Sequence, residues 1–232
     1  MEAKGAVQYI GEIRHRVIRF LLIALTISVV AYVFSDVIIK YLQKPYGGTL
    51  AFYKLPEIFF VKIGIGISTG LFFAMPYLFA RVSYILTSRF LTHPKRYALL
   101  LSVSACFLYF LGAFLTYTVL LPQGIKFLTK FGSQSIEPMI SVQKYVSFCT
   151  IMIFGMGLFF QMPLIFLFLG RLGIINYRML SSFRKYAILL IAIGAAIFTP
   201  TPDIINMLLM AGPLWLLYEL STLLVRIFPK KT

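Results

Sequence analysis

Long apolar runs, separated by short polar and basic segments, set the pattern of this chain. Four runs that are almost free of charge cover residues 20–35, 63–80, 97–121 and 145–170, and the second extends past Arg81 toward Leu86. A helix needs about 20 apolar residues to cross about 30 Å of hydrocarbon. We therefore expect these runs to be membrane-spanning helices. The first run has no small-residue cleavage site after it, so we expect a retained span rather than a signal peptide.

Two further runs, residues 186–198 and 204–218, are short and flank a Thr-Pro-Thr-Pro-Asp segment at 199–203. The first would reach only about 20 Å as a helix. A re-entrant hairpin and two short spans in a thinned bilayer are both compatible with this length. Arg184 and Lys185 precede the first run and Arg226 follows the second, which favours two short spans. The prediction is an all-α polytopic membrane protein with six transmembrane helices in one domain, residues 1–232.

The composition excludes a soluble enzyme. Hydrophobic residues make up 60% of the 232 residues and charged residues only 12%, whereas soluble domains are about 25% charged. The mean hydropathy is +0.90, so an intrinsically disordered chain is excluded as well. The two cysteines, Cys106 and Cys149, lie inside apolar runs and are too few for a disulfide framework.

Basic residues are distributed unevenly between the two ends of the predicted spans. The chain has 22 Lys and Arg against 7 Asp and Glu, and most of the basic residues flank apolar runs. The side with both termini carries 15 of them and the opposite side 7. The positive-inside rule then places both termini in the cytoplasm. The membrane topology accounts for the excess of positive charge, so we do not expect a nucleic-acid partner.

Catalytic and metal-binding motifs are absent from the sequence. His15 and His93 lack the H-E-x-x-H spacing, no G-x-S-x-G occurs, and no two aspartates lie inside spans. We therefore expect neither an enzyme nor a cofactor or metal site.

Two carboxylates and one amide are candidates for function. Glu12 lies in a basic segment, where it either pairs with Arg16 one helical turn away or is offered to a basic partner. Glu219 lies within the last predicted span, where an acid is either functional or bonded to a neighbouring helix. Gln161 stands two residues before Pro163 in the fourth span. It either satisfies a carbonyl freed by the proline or forms the polar floor of a concave surface facing lipid or a partner helix.

These features resemble the TatC family, the multispanning subunits of the twin-arginine protein translocase. The family opens with H-L-x-E-L-R-x-R, and here Glu12, Arg14 and Arg16 match it. Further matches are Lys44-Pro45, Leu121-Pro122, Met162-Pro163, Phe183-Arg184-Lys185, the 199–203 hairpin and Leu217-Tyr218-Glu219. The resemblance covers roughly residues 8 to 226.

The chain departs from the family pattern in the loop after span 2 and within span 4. The family motif H-E-[KR]-R stands here as His93-Pro94-Lys95-Arg96, so the family's second signal-binding glutamate is replaced by proline. Gln161 replaces a glutamate that the family usually has in span 4, and Ile85 stands where a phenylalanine is usual.

The resemblance implies binding of the twin-arginine signal peptides of folded cargo at the cytoplasmic face of a prokaryotic inner membrane. It also implies assembly with the single-span proteins TatA and TatB, in homo- and hetero-oligomers. The expected signal-peptide site comprises Glu12, Arg14, Arg16, Pro94, Lys95 and Arg96. The expected structural and docking positions are Pro45, Gln161, Pro163, Thr199, Thr201, Asp203, Asn206 and Glu219. Two rival classes are a solute transporter, which would need converging intramembrane charges, and a membrane scaffold without twin-arginine selectivity.

Overall fold

The computed structural model describes residues 2–48, 50–54, 56–90, 94–130, 140–198 and 204–228. Within them the chain is almost entirely helical. The helices are α1 (Glu2–Val33), α2 (Ser35–Gln43), α3 (Glu57–Phe90), α4 (Pro94–Leu115), α5 (Leu121–Lys130), α6 (Val142–Phe159), α7 (Met162–Leu172), α8 (Tyr177–Ser182), α9 (Arg184–Phe198) and α10 (Ile204–Ile227). A π-helical segment, Thr116–Leu120, joins α4 to α5. Two-residue strands, β1 (Leu50–Ala51) and β2 (Ile140–Ser141), pair in parallel.

Among the described residues, five helical stretches are long and apolar enough to cross a membrane. They are Arg14–Val33, Glu57–Ile85, Lys95–Lys126, Val142–Leu172 and Met207–Ile227. The fifth predicted span corresponds to α9, whose 15 residues extend about 22 Å. The class of the protein, an all-helical multi-pass membrane protein, is therefore confirmed for the part of the chain described.

The prediction that the last span is short is wrong. Helix α10 has 24 residues and continues past Glu219 to Ile227. The acidic residue does not end the apolar segment because its carboxylate is paired: the Arg184 Nη2 lies 2.8 Å from the Glu219 Oε2. Only α9 remains shorter than a full span.

Helix α1 packs on α3 through two glycines spaced four residues apart. A Cβ on Gly66 would lie 3.0 Å from the Ser28 carbonyl oxygen, and one on Gly70 would lie 2.4 Å from the Ala24 carbonyl oxygen. The missing side chains therefore allow the two helix backbones to approach closely. This G-x-x-x-G motif therefore serves a contact within this chain.

The fourth span is broken at Phe160 and Gln161, where α6 ends and α7 begins. Pro163 lies in the first turn of α7. Backbone N–H groups in a first turn have no partner within the helix, so the missing N–H of proline costs no hydrogen bond there. Pro163 therefore follows an interruption of the fourth span.

Candidate functional site

Helix alternation brings most of the basic residues to one end of the bundle, which we call the basic end. The starts of α1, α4 and α9 and the ends of α3, α7 and α10 lie there. Contacts join them: the Arg171 guanidinium on α7 lies 6.0 Å from the ring of Tyr97 on α4 and 5.7 Å from the ring of Phe228, which follows α10. Aromatic and basic side chains together are typical of a membrane–water interface.

The predicted signal-binding residues lie on two elements of the basic end. Glu12 belongs to α1, although its side chain is outside the described residues. Arg14 is exposed and Arg16 is half-buried. Pro94 is the first residue of α4, and Lys95 and Arg96 follow it with exposed side chains. His93 lies outside the residues the structure describes.

The α1–α3 contact gives the height of Glu12, meaning its position along the axis of the bundle. Gly70 faces Ala24 and Ser28, and Gly66 faces Ser28 and Tyr32, so the two helices run antiparallel. Continued along α1, this register places Glu12 level with about residue 84 of α3. That is within about two helical turns of the end of α3 and the start of α4. Glu12 and the segment beginning at Pro94 therefore belong to the same end of the molecule.

A cavity of about 670 Å³ opens between α3, α4 and α7 in the half of the bundle nearer the basic end. Its walls are almost wholly apolar, with Phe79 and Val82 from α3, Leu101 from α4 and Phe168 from α7. Gln161 also lines it and is 7% exposed. The predicted concave surface at Gln161 is therefore present.

The Gln161 amide bonds across to a neighbouring helix. Its Nε2 donates to the Ala105 carbonyl oxygen of α4 at 3.0 Å and lies 3.5 Å from the Gly157 carbonyl oxygen of α6. The interpretation that it satisfies a carbonyl freed by Pro163 therefore needs correction, because the closer acceptor belongs to another span. Gln161 ties the broken span to α4 at the cavity wall.

Glu219 is bonded to a neighbouring helix, which is one of the two alternatives that the sequence allowed. Its carboxylate joins α10 to Arg184 at the start of α9, and the Tyr218 hydroxyl donates to the Leu180 carbonyl oxygen of α8 at 2.7 Å. Both bonds fix α10 against the α8–α9 corner. Glu219 is therefore an interhelical link at the basic end.

Of the remaining predicted docking residues, the structure places Pro45 and the backbone of Asn206 at the opposite end. Pro45 is in the turn after α2. Thr199, Thr201 and Asp203 fall outside the described residues. Asn206 belongs to the first turn of α10, but its side chain is not described.

Sequence reasoning missed Glu57, the main polar link of that opposite end. Its carboxylate accepts hydrogen bonds from the Tyr53 backbone N–H at 2.8 Å, the Gln143 backbone N–H at 3.3 Å and the Ser141 hydroxyl. Glu57 is only 7% exposed. It joins the β1 loop to the start of α6 beside the two-stranded pair, and we call this arrangement the Glu57 lock. The available signal was an acid directly after Pro56 and six residues before the second charge-free run, a place where an acid favours a helix start.

Groups of three or more His, Cys, Asp or Glu with metal-binding geometry do not occur among the described residues. The helical bundle, its apolar cavity and its basic end define an all-helical, multi-pass membrane protein.

Comparison with known proteins gives the family. The sequence model of the Sec-independent protein translocase protein TatC matches residues 8–213. The TatC of Desulforapulum autotrophicum is 32% identical over 97% of this chain and 85% of its own length. The TatC of Aquifex aeolicus is 30% identical over 97% of this chain and 95% of its own length.

A solved structure gives the same result. A crystal structure of the twin-arginine translocase receptor TatC superposes with a TM-score of 0.82 at 31% identity, covering 94% of this chain and 98% of that one. The chain belongs to the TatC family. It is a component of a protein translocase, not an enzyme.

Proposed function

We propose that this chain is the signal-peptide-binding core subunit of a twin-arginine translocase in a prokaryotic cytoplasmic membrane, with Glu12 as the principal carboxylate for the arginine pair. The observation that carries the proposal is the shared height of Glu12 and the α4 start at the basic end. Two adjacent guanidiniums require carboxylate partners with bidentate geometry. Few acids are present at this end, and Glu219 is already paired with Arg184.

The flanking basic residues would set the register of the peptide. Arg14 and Arg16 follow Glu12 by two and four residues on α1, and Lys95 and Arg96 lie at the start of α4. These positive charges on either side of Glu12 would repel arginines placed anywhere else. The arginine pair of a signal peptide would therefore bind in one register. Pro94 stands where the family offers its second acid, so Glu12 carries more of the recognition here.

The proposed topology has six spans with both termini in the cytoplasm. Its support is the excess of basic residues, together with aromatic residues, at the basic end. Helix α9 then crosses as a short span under a locally thinned bilayer. Single cysteines at Tyr53 and Lys95, with Cys106 and Cys149 replaced by serine, test it. An impermeant thiol reagent outside the cell should label the cysteine at position 53 alone; labelling of position 95 instead would reverse the topology.

Partner docking is proposed at two places. The apolar cavity beside Gln161 suits a hydrophobic helix, and the segment 199–203 with Asn206 suits the single span of a TatA- or TatB-type protein. Homo- and hetero-oligomers would form through such contacts. A photo-crosslinker at Asn206 or Met207 should capture a single-span partner, whereas one at Val103, exposed on α4, should not.

The Glu12→Gln variant tests the signal-peptide site. It removes the charge and keeps the shape, so twin-arginine peptide affinity in nanodiscs should fall about ten- to a hundredfold, since a charged hydrogen bond contributes about 1.5–3 kcal/mol. Salt dependence of binding should fall as well. Pro94→Glu should tighten binding, because it supplies a second carboxylate to the arginine pair.

Glu2→Gln is the matched control, since it removes an acid from the same helix ten residues earlier. A twin-lysine peptide is the ligand control. If Glu12→Gln binds the twin-arginine peptide as the unmodified chain does, the assignment is wrong and a scaffold without twin-arginine selectivity becomes the better reading.

A further inference from the structure

A second cavity lies at the basic end, between α8, α9 and α10. It measures about 310 Å³. Its polar wall consists of Tyr177 from α8, Arg184 from α9, and Glu219 and Arg226 from α10. None of these residues belongs to the proposed signal-peptide site.

The charge of this cavity is positive. Arg184 and Glu219 neutralise each other at 2.8 Å. Arg226 lies over the Tyr177 ring at 5.2 Å and has no carboxylate partner among the described residues. Glu219 engages one terminal nitrogen of Arg184, while a guanidinium has five N–H donors. The cavity therefore offers the uncompensated charge of Arg226 and the remaining N–H donors of Arg184.

An apolar track leads away from Arg226. Leu216, Leu220 and Leu223 line the cavity and are 67%, 41% and 50% exposed. Their spacing of four and three residues places them on one face of α10, and Arg226 follows one turn nearer the helix end. The Arg184–Glu219 pair lies beside this track, level with Leu220. The surface thus changes from exposed leucines to Arg226 along the direction in which a lipid changes from acyl chain to headgroup.

We propose that this cavity binds an anionic phospholipid, with the headgroup phosphate held by Arg226 and Arg184 and one acyl chain lying along the leucine track. Guanidinium groups bind phosphate with two parallel hydrogen bonds, and basic pockets between spans suit anionic headgroups. The bound lipid would fix the α8–α9 corner, which is otherwise held to α10 by the Arg184–Glu219 and Tyr218–Leu180 bonds. The proposal is independent of signal-peptide binding.

Native mass spectrometry of the detergent-purified full chain tests it, by titration with phosphatidylglycerol and, separately, phosphatidylcholine. We expect at least one phosphatidylglycerol to bind about tenfold more tightly than phosphatidylcholine. Arg226→Gln should remove most of that preference, and Arg226→Lys should restore it only in part because the planar fork is lost. Arg178→Gln is the control, since Arg178 is exposed on α8 and does not line the cavity.

Three outcomes would overturn the proposal. If Arg226→Gln and Arg178→Gln reduced the preference for phosphatidylglycerol equally, the preference would come from general surface charge. Equal binding of the two lipids by the unmodified chain would exclude a phosphate-selective site for an anionic lipid. Displacement of phosphatidylglycerol by an equal concentration of soluble glycerol phosphate would show that the site takes a free phosphate and that the leucine track contributes nothing. Leu220→Ser should weaken lipid binding while leaving any soluble phosphate binding unchanged.

Discussion

The two ends of the bundle are constructed differently. At the end bearing β1 and β2, the Glu57 lock, the strand pair and two tyrosine bonds join segments that are far apart in sequence: the Tyr117 hydroxyl donates to the Tyr41 carbonyl oxygen at 2.7 Å and the Tyr145 hydroxyl to the Leu42 carbonyl oxygen at 2.6 Å. The basic end has exposed charges, an apolar cavity beside Gln161 and a basic cavity beside Arg226, whereas the cavity of about 690 Å³ at the other end is lined by the residues of the lock itself. Polar links between distant segments therefore dominate one end, and apolar and basic cavities the other.

The largest expected effect comes from breaking the Glu57 lock. Glu57→Ala leaves the Ser141 hydroxyl and the Tyr53 and Gln143 amides without their acceptor, and hydrogen bonds to charged groups are worth about 1.5–3 kcal/mol each. We expect the free energy of unfolding in detergent to fall by about 3 kcal/mol. The control is Asp36→Asn, which removes the exposed Asp36–Lys62 pair and should cost less than about 1 kcal/mol. Equal effects of the two variants would show that the lock is not a special feature of this end.

The next effect concerns the α1–α3 contact that carries Glu12. A Cβ at position 70 would lie 2.4 Å from the Ala24 carbonyl oxygen, so Gly70→Ala should force α1 outward and cost about 2 kcal/mol. Gly64→Ala, in the same helix, meets no atom within 4 Å and should be nearly neutral. Thermal unfolding in detergent measures both changes. A neutral Gly70→Ala would mean that the helices do not approach as closely as the structure shows.

The smallest effect is expected at Gln161. Gln161→Leu loses the bond to the Ala105 carbonyl oxygen, and such interhelical bonds in membranes average about 0.6 kcal/mol. Gln161→Glu should accumulate in membranes, since a carboxyl group can protonate there and then donate to the same carbonyl. Immunoblots of membrane fractions and unfolding in detergent measure the two variants. Failure of the glutamate variant to accumulate would indicate a dry, packed amide instead of a concave surface with polar access.

The sequence predicted the elements with local signals and missed the contacts between distant segments. Apolar run length located the spans, and Pro163 located the break between α6 and α7, because both signals are local. The last span was predicted too short because its length was measured on the charge-free run 204–218, although Arg184, 35 residues earlier, compensates the charge of Glu219 and the helix continues. Glu57 was not recognised because its partner Ser141 is 84 residues away. Such pairings depend on which helices become neighbours, and the linear pattern does not contain that information.

The most direct test of the account asks which end of the bundle contacts a twin-arginine signal peptide. Photo-crosslinking residues are placed at Lys95, exposed at the basic end, and at Tyr53, exposed beside the Glu57 lock, in full-length protein reconstituted in nanodiscs open to solution on both faces. The account predicts that the twin-arginine peptide crosslinks at position 95 and that the twin-lysine peptide does so far less. Crosslinking at position 53 but not at position 95 would contradict it.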